Sequence, residues 1–348
     1  MMRSILKIQG GTANSTIVSG GRLQDISQYI PHRSRVVITD THVRRLYEKD
    51  FPDCEVIEIG TGEGIKTLHT VKDIYTRLLE LDADRSSFIL GIGGGVVCDI
   101  TGFVASTYLR GLTFGFVAST LLSQVDAGIG GKNGVNVNGY KNMVGVFRQP
   151  EVVICDMGML KTLPVREVLS GFSEIVKHAA IADPVLFSYL EDNHESAVGL
   201  YRPVMEKLVY DSIVVKASVV NQDETEKGER RKLNFGHTLG HAIERETGIS
   251  HGEAVSTGML MAALLSETKG YLKREAVKRI ERLLINLGLP TKMALERNGL
   301  IEAVSKDKKR SGEKIHFVFL TEIGDAFVEP MSLNELALLL KQMDWPWI

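Results

Sequence analysis

The chain has 348 residues and a formal net charge of −2, with 44% hydrophobic and 24% charged residues. That balance is the one of a globular protein with about two domains, and it gives no electrostatic case for nucleic acid or a membrane surface as partner. A chain of this size buries a large core without disulfides or structural metals, so a metal here would be functional.

The N-terminal "MMRSILKIQG" lacks the apolar run of a signal peptide. Cys54, Cys98 and Cys155 are scattered and odd in number, which predicts free thiols and a reducing cytoplasm. The apolar stretch around residues 111–131 contains Gln124, Asp126 and several glycines, and is not expected to span a bilayer.

Over roughly the first 160 residues, apolar β-branched runs alternate with helical patterns. "RVVITD" (35–40), "EVIEIG" (55–60), "FILGIGGGV" (88–96), "FGFVAS" (114–119) and "VVICD" (152–156) read as strands buried on both faces of a parallel sheet. Between them, residues 65–81 put Leu68, Val71, Ile74, Leu78 and Leu79 on one helical face. This alternation predicts a doubly wound, mostly parallel, Rossmann-like α/β domain over residues 1–160. From 161 to 348 helical segments dominate, interrupted by the strand-like "KIHFVFL" (314–320), so a mostly α-helical second domain is expected.

The chemistry-bearing stretches follow the same order. Asp40 and the "GEGIKT" segment, with Glu63 and Lys66, lie at strand ends where ligands of open sheets gather. "GIGGGVVCD" joins a strand to a helix, and its glycines allow either a pyrophosphate on the helix start or simply close packing. Residues 123–145 hold Asp126, Lys132, Asn133, Lys141 and Asn142 among six glycines. They read as a flexible loop for an anionic, hydroxyl-rich ligand, or as a solvated surface loop. "SGFSEIVKHA" sets Glu174, Lys177 and His178 three and four apart on an apolar helix, where buried charge needs a partner. "NFGHTLGHAIE" and "HGEAVSTGM" supply His237, His241 and His251. The four-residue spacing resembles a zinc helix without the protease base, since Thr238 stands in that place. Spacing does not decide which two histidines would bind.

Together with "STLLSQVDAGIGGKNGVN", "YKNMVGVF" and "LKTLP", these stretches closely resemble the 3-dehydroquinate synthase family over almost the whole chain. The resemblance implies a lyase that turns 3-deoxy-D-arabino-heptulosonate 7-phosphate into 3-dehydroquinate and phosphate, in the shikimate route to aromatic amino acids. NAD-mediated transient oxidation, phosphate elimination, re-reduction and an internal aldol closure would be the course. It implies NAD and a divalent metal, usually zinc with cobalt as an alternative, and a homodimer. Carried over by position, the metal ligands would be Glu174, His237 and His251. NAD contacts would be Asp40, Glu63, Lys66, Gly94, Gly95, Asp99, Ser119, Thr120, Lys132, Lys141 and Thr162. Substrate contacts would be Arg110, Asp126, Lys132, Asn142, Lys177, Lys216, Arg230, Asn234, His241 and Lys309, with Lys132, Lys177, His241 and Asp126 as the catalytic group. Arg110 would reach the site of the neighbouring subunit. The rivals are another sugar-phosphate cyclase (amino-dehydroquinate, 2-deoxy-scyllo-inosose or valiolone type) and a metal- and NAD-dependent polyol dehydrogenase. The chain departs from the family pattern at Ala118-Ser119, at Cys98, and at Asn133, where a hydroxyl residue is more usual.

Overall fold

The computed structural model describes residues 4–30, 35–308 and 314–346. Two compact units emerge, Met1–Leu163 with Lys216–Thr225, and Pro164–Val215 with Glu226–Ile348.

Among its described residues the first unit holds nine strands: β1 (Ser4–Gln9), β2 (Asn14–Ser19), β3 (Arg35–Asp40), β4 (Glu55–Ile59), β5 (Phe88–Gly93), β6 (Thr113–Ala118), β7 (Lys132–Val137), β8 (Tyr140–Phe147) and β9 (Val152–Cys155). Its helices are α1 (Ile26–Tyr29), α2 (Thr41–Tyr47), α3 (Leu68–Glu80) and α4 (Gly95–Thr107). Seven strands form one sheet in the order β1-β2-β9-β6-β5-β3-β4. All its pairings are parallel except β1 with β2. Every residue of β5 is buried, which is why its sequence is apolar without alternation. Parallel alignment sends β3, β5 and β6 out at one edge of the sheet, where Asp40, the glycine turn and Ser119 come directly after them.

Two expectations change. In α3, Val71, Ile74 and Leu78 are buried, but Leu68 and Leu79 are exposed. Leu79 lies about 100° around the helix from Leu78, outside the buried stripe. Residues 123–145 are not an open loop. A short π-helical turn (Ser123–Ala127) leads into an antiparallel hairpin of β7 and β8. Asn138 and Gly139, both at positive φ (50° and 79°), make its two-residue turn. Asn-Gly between apolar alternation is the signature of that turn.

The second unit is mostly helical: α5 (Val165–Ala182), α6 (Pro184–Val198), α7 (Arg202–Gln222), α8 (His237–Thr247), α9 (His251–Thr268), α10 (Arg274–Asn286), α11 (Arg297–Lys308) and α12 (Leu333–Gln342). An antiparallel pair, β10 (Ile315–Glu322) and β11 (Asp325–Met331), completes it. From Lys216 onward α7 counts with the first unit. Both layer types agree with the α/β and helical expectations.

The three cysteines are free. Burial pushes the Cys155 thiol up to about 12 and raises those of Cys98 and Cys54 as well. Thiolate is the reactive form. Alkylation of the native protein at mildly alkaline pH should therefore leave Cys98 and Cys155 unmodified until denaturant is added. Peptide mapping that finds either labelled in the native state would contradict this packing.

Candidate active site

Three second-unit elements meet at one carboxylate. Helix α5 is buried along Phe172–Ile181 and presents Glu174, whose side chain is fully enclosed. Helix α9 starts with a capping box, in which Ser250 caps the backbone of Glu253 and the Glu253 carboxylate returns to Ser250. This locks the first turn and its first residue, His251. Helix α8 begins at His237 after Gly236, which adopts φ 78°. The two histidine helices approach closely because Gly258 has no side chain: a Cβ there would lie 2.2 Å from the Gly236 carbonyl oxygen.

Glu174 Oε1 faces His251 Nε2 at 3.3 Å and His237 Nε2 at 3.5 Å. Its other oxygen accepts from Lys177 Nζ, itself buried. His237 Nδ1 lies 3.3 Å from the Phe235 carbonyl. A proton on that nitrogen leaves Nε2 with a lone pair aimed at the Glu174 side. Ligand atoms of Glu174, His237 and His251 all lie within 4.8 Å of one another. His241 stands beside them, its ring centroid 5.4 Å from that of His237, and is exposed to solvent. His178, one turn along α5 from Glu174, is buried beside it: its Nδ1 meets Ser212 Oγ at 2.7 Å, and a ring nitrogen lies within 4.8 Å of a Glu174 carboxylate oxygen.

The electrostatics of the cluster reflect this enclosure. Burial alone would raise the Glu174 carboxyl, but Lys177 and His237 hold it well below the usual range. Burial and the charge of Lys177 lower His237. Burial acts the same way on His251, yet hydrogen bonds to Glu174 and Glu244 outweigh it and bring its pKa to about 9. The two imidazoles shift oppositely because the charge of Lys177 adds to burial at His237, while His251 gains a second carboxylate, Glu244, 3.9 Å from its Nδ1.

In the first unit, α4 opens on Gly94 and Gly95 with no side chain capping its start. Lys66 is buried and donates to Asp99 and, at 2.6 Å, to Asn142 Oδ1. Burial raises the Asp99 carboxyl against the opposing pull of Lys66. Glu63 accepts from Asn136 Nδ2 at 2.7 Å, and Asn136 Oδ1 accepts from the Asn142 backbone at 2.9 Å. Asp40 caps α2 by accepting from the Val43 N–H. Ser119 N–H donates to the Gly93 carbonyl, Thr120 Oγ1 to Ser123, and Thr162 Oγ1 pairs with Tyr47 at 2.6 Å. Lys216 Nζ donates to Asp126 Oδ1 at 2.5 Å and to its carbonyl at 2.7 Å. Lys132 and Lys141 are exposed on β7 and β8. Arg110 is exposed in a turn at φ 67°. In the second unit Arg230 is buried and Asn234 Nδ2 donates to Glu226 at 2.5 Å. Lys309 lies outside the described residues.

Sequence reasoning missed Asn136, Glu226 and Glu244, all tied to site residues. Asn136 was legible as part of an Asn-Gly hairpin. Glu226 sits at φ 61° within the polar run "NQDETEKGE" and offered no periodic signal.

Residues 56–170 match the 3-dehydroquinate synthase N-terminal family and residues 171–310 the C-terminal family. A 3-dehydroquinate synthase of Dehalococcoides mccartyi (strain CBDB1) is 43% identical over 314 residues, covering 87% of this chain and 88% of the relative. Two solved structures superpose with TM-scores of 0.85 at 26% identity. One is a 2-deoxy-scyllo-inosose synthase with carbaglucose-6-phosphate, NAD+ and Co2+, covering 98% of this chain and all of the other. The other is the 2-epi-5-epi-valiolone synthase ValA of Streptomyces hygroscopicus subsp. jinggangensis 5008 with NAD+ and Zn2+, covering 97% and 99%.

Two outcomes are expected. With its pKa at about 9, His251 is protonated at neutral pH in the metal-free protein, and a cation must displace that proton. Zinc uptake should release a proton and strengthen as pH rises from 7 toward 9. Titration calorimetry in buffers of different ionisation enthalpy measures this, and zero proton release contradicts it. Separately, Glu174→Gln leaves Lys177 buried without a carboxylate and should cost about 3 kcal/mol in denaturant unfolding of the metal-free protein. A loss below about 1 kcal/mol would show that Lys177 is hydrated or neutral instead.

Proposed function

The chain belongs to the 3-dehydroquinate synthase family of carbon–oxygen lyases, and we propose that it converts 3-deoxy-D-arabino-heptulosonate 7-phosphate to 3-dehydroquinate and phosphate. The observation that carries the reading is the buried Glu174 carboxylate facing two imidazole nitrogens, at 3.3 and 3.5 Å, with Lys177 on its other oxygen. One carboxylate and two imidazoles suit zinc, and equally cobalt, while leaving room for a substrate oxygen. Likeness to the inosose and valiolone synthases, which carry NAD+ with Co2+ or Zn2+, supports the same pair here. The uncapped start of α4 behind Gly94 and Gly95 fits a pyrophosphate. When bound, NAD supplies reversible hydride acceptance and the divalent cation supplies Lewis acidity.

The chain's own residues then divide the work. Residues 1–160 form the NAD domain, in which Asp40, Glu63, Lys66, Asp99, Ser119, Thr120, Lys141 and Thr162 surround the dinucleotide. Residues 161–348 form the domain that holds the metal and much of the substrate. Lys132, Asn142 and Asn234 hold the phosphate, joined by Arg110 of the second protomer of a homodimer, and Lys309 is a further substrate contact. Lys216 and Arg230 hold the carboxylate; a planar guanidinium suits its two oxygens. Asp126, now paired with Lys216, sets the charge that an incoming carboxylate meets. Lys177 keeps Glu174 ionised. His241, exposed beside the metal cluster, moves the proton of the C5 hydroxyl. Holding both ends of an open-chain intermediate favours ring closure over diffusion. Among the described residues no helix is long and apolar enough to cross a membrane; we assign the enzyme to the cytoplasm.

The rival that the structural likeness favours is an inosose- or valiolone-forming cyclase. Its substrates lack a carboxylate and do not need the Lys216 and Arg230 pair. Incubation with the heptulosonate phosphate, NAD and zinc should release phosphate together with a carbocyclic product and no net NADH. Arg230→Ala should raise KM for this substrate about tenfold or more. Steady accumulation of NADH would favour a dehydrogenase, and faster turnover of a hexose phosphate would favour the rival cyclases.

A further inference from the structure

We infer that Asn133 is a positioning residue for Lys132, clasping the base of the β7–β8 hairpin in a space left by Gly102; this rests on the reading of Lys132 as a phosphate contact. Asn133 is only 5% exposed. Its Nδ2 donates to the carbonyls of Gly131 and Arg148, both at 2.9 Å. One amide thus ties the strand entering the hairpin to the strand leaving it. Its oxygen side stands where a side chain of α4 would otherwise be. A Cβ on Gly102 would lie 1.8 Å from Asn133 Oδ1 and 2.4 Å from Cγ. Amide and glycine are therefore matched, one filling the volume that the other omits.

The backbone pairs the base of the hairpin, with the Arg148 N–H donating to the Gly131 carbonyl at 2.8 Å and Lys132 opposite Phe147, and the Asn133 amide adds a side-chain tie to Gly131 and Arg148. Gly130 and Gly131, at φ 94° and 70°, give the approach to Lys132 little stiffness of its own. Neighbouring residues of a strand face opposite ways. Pinning Asn133 inward against α4 sends Lys132 outward, where it is exposed. The exit of the hairpin is held as well, since Gln149 Nε2 donates to Glu224 at 2.9 Å. A hydroxyl residue at 133 would have a single donor and could not serve both carbonyls.

Asn133→Ala in the full-length, zinc-loaded enzyme tests this in two independent ways. Amide hydrogen exchange across residues 132–147 should accelerate about tenfold or more. KM for the sugar phosphate should rise about tenfold, more than kcat falls, because a misplaced Lys132 weakens ground- and transition-state binding of the phosphate alike. Asn133→Ser, with one donor, should fall between. Gly102→Ala should raise KM in the wild-type background but add less than about twofold to Asn133→Ala, since the contacts at 1.8 and 2.4 Å are removed and only the 3.0 Å approach to the Cβ of residue 133 remains. A lower melting temperature with unchanged KM and unchanged exchange in the hairpin would reduce Asn133 to ordinary core packing and overturn the inference. If the wild-type protein turned over no heptulosonate phosphate, the proposed function would fall, and the hydrogen exchange across residues 132–147 would still decide whether the clasp exists.

Discussion

A carboxylate with no access to water must be matched by positive charge or by a cation. Glu174 is that carboxylate, and the second unit is arranged around it. Lys177 satisfies one oxygen from within the same helix, and His237 and His251 face the other from two more. Removing the solvent makes each of these contacts stronger and makes the loss of any one of them costly. The enclosure also explains why the two imidazoles differ. Each feels burial, but the additional carboxylate of Glu244 makes His251 the more basic.

The same rule recurs at three groups proposed to meet an anionic ligand. Lys66 is held by Asp99, Lys216 by Asp126, and Asn234 by Glu226. Each already has an acidic partner inside its own unit. For the two lysines, which are buried, such pairing offsets the cost of enclosing a charge. It also keeps them in place, so that an arriving phosphate or carboxylate competes with an internal acid instead of ordering a mobile lysine. Net affinity is lowered by that competition, while orientation is gained.

Legibility in the sequence depends on the reach of the signal. The strands β3, β5 and β9 announce themselves because burial on both faces demands unbroken apolar runs. The hairpin of β7 and β8 does not, because glycines and amides disguise its alternation, although Asn138-Gly139 marks its turn. Leu79 reads as part of the buried stripe of α3 because hydrophobicity does not reveal which leucine the stripe ends on. His178, one turn beyond Glu174 on α5, stays beside that carboxylate as its spacing suggests, while the hydrogen bond that holds its ring, to Ser212 on α7, comes from a distant segment that no spacing reveals.

The amino-acid order by itself determined what is local. It set the parallel α/β pattern, the helical remainder, the four-residue spacing that makes His237 and His241 neighbours, and the capping box that starts α9 at His251. Periodicity and capping act within a few residues, so they can be read without coordinates. Which imidazoles share an oxygen with Glu174 was decided by tertiary structure. That outcome depends on how closely α8 and α9 approach over Gly258 and on which turn of α5 lies beneath them. Those distances arise from packing between segments far apart in the chain, and no local spacing encodes them.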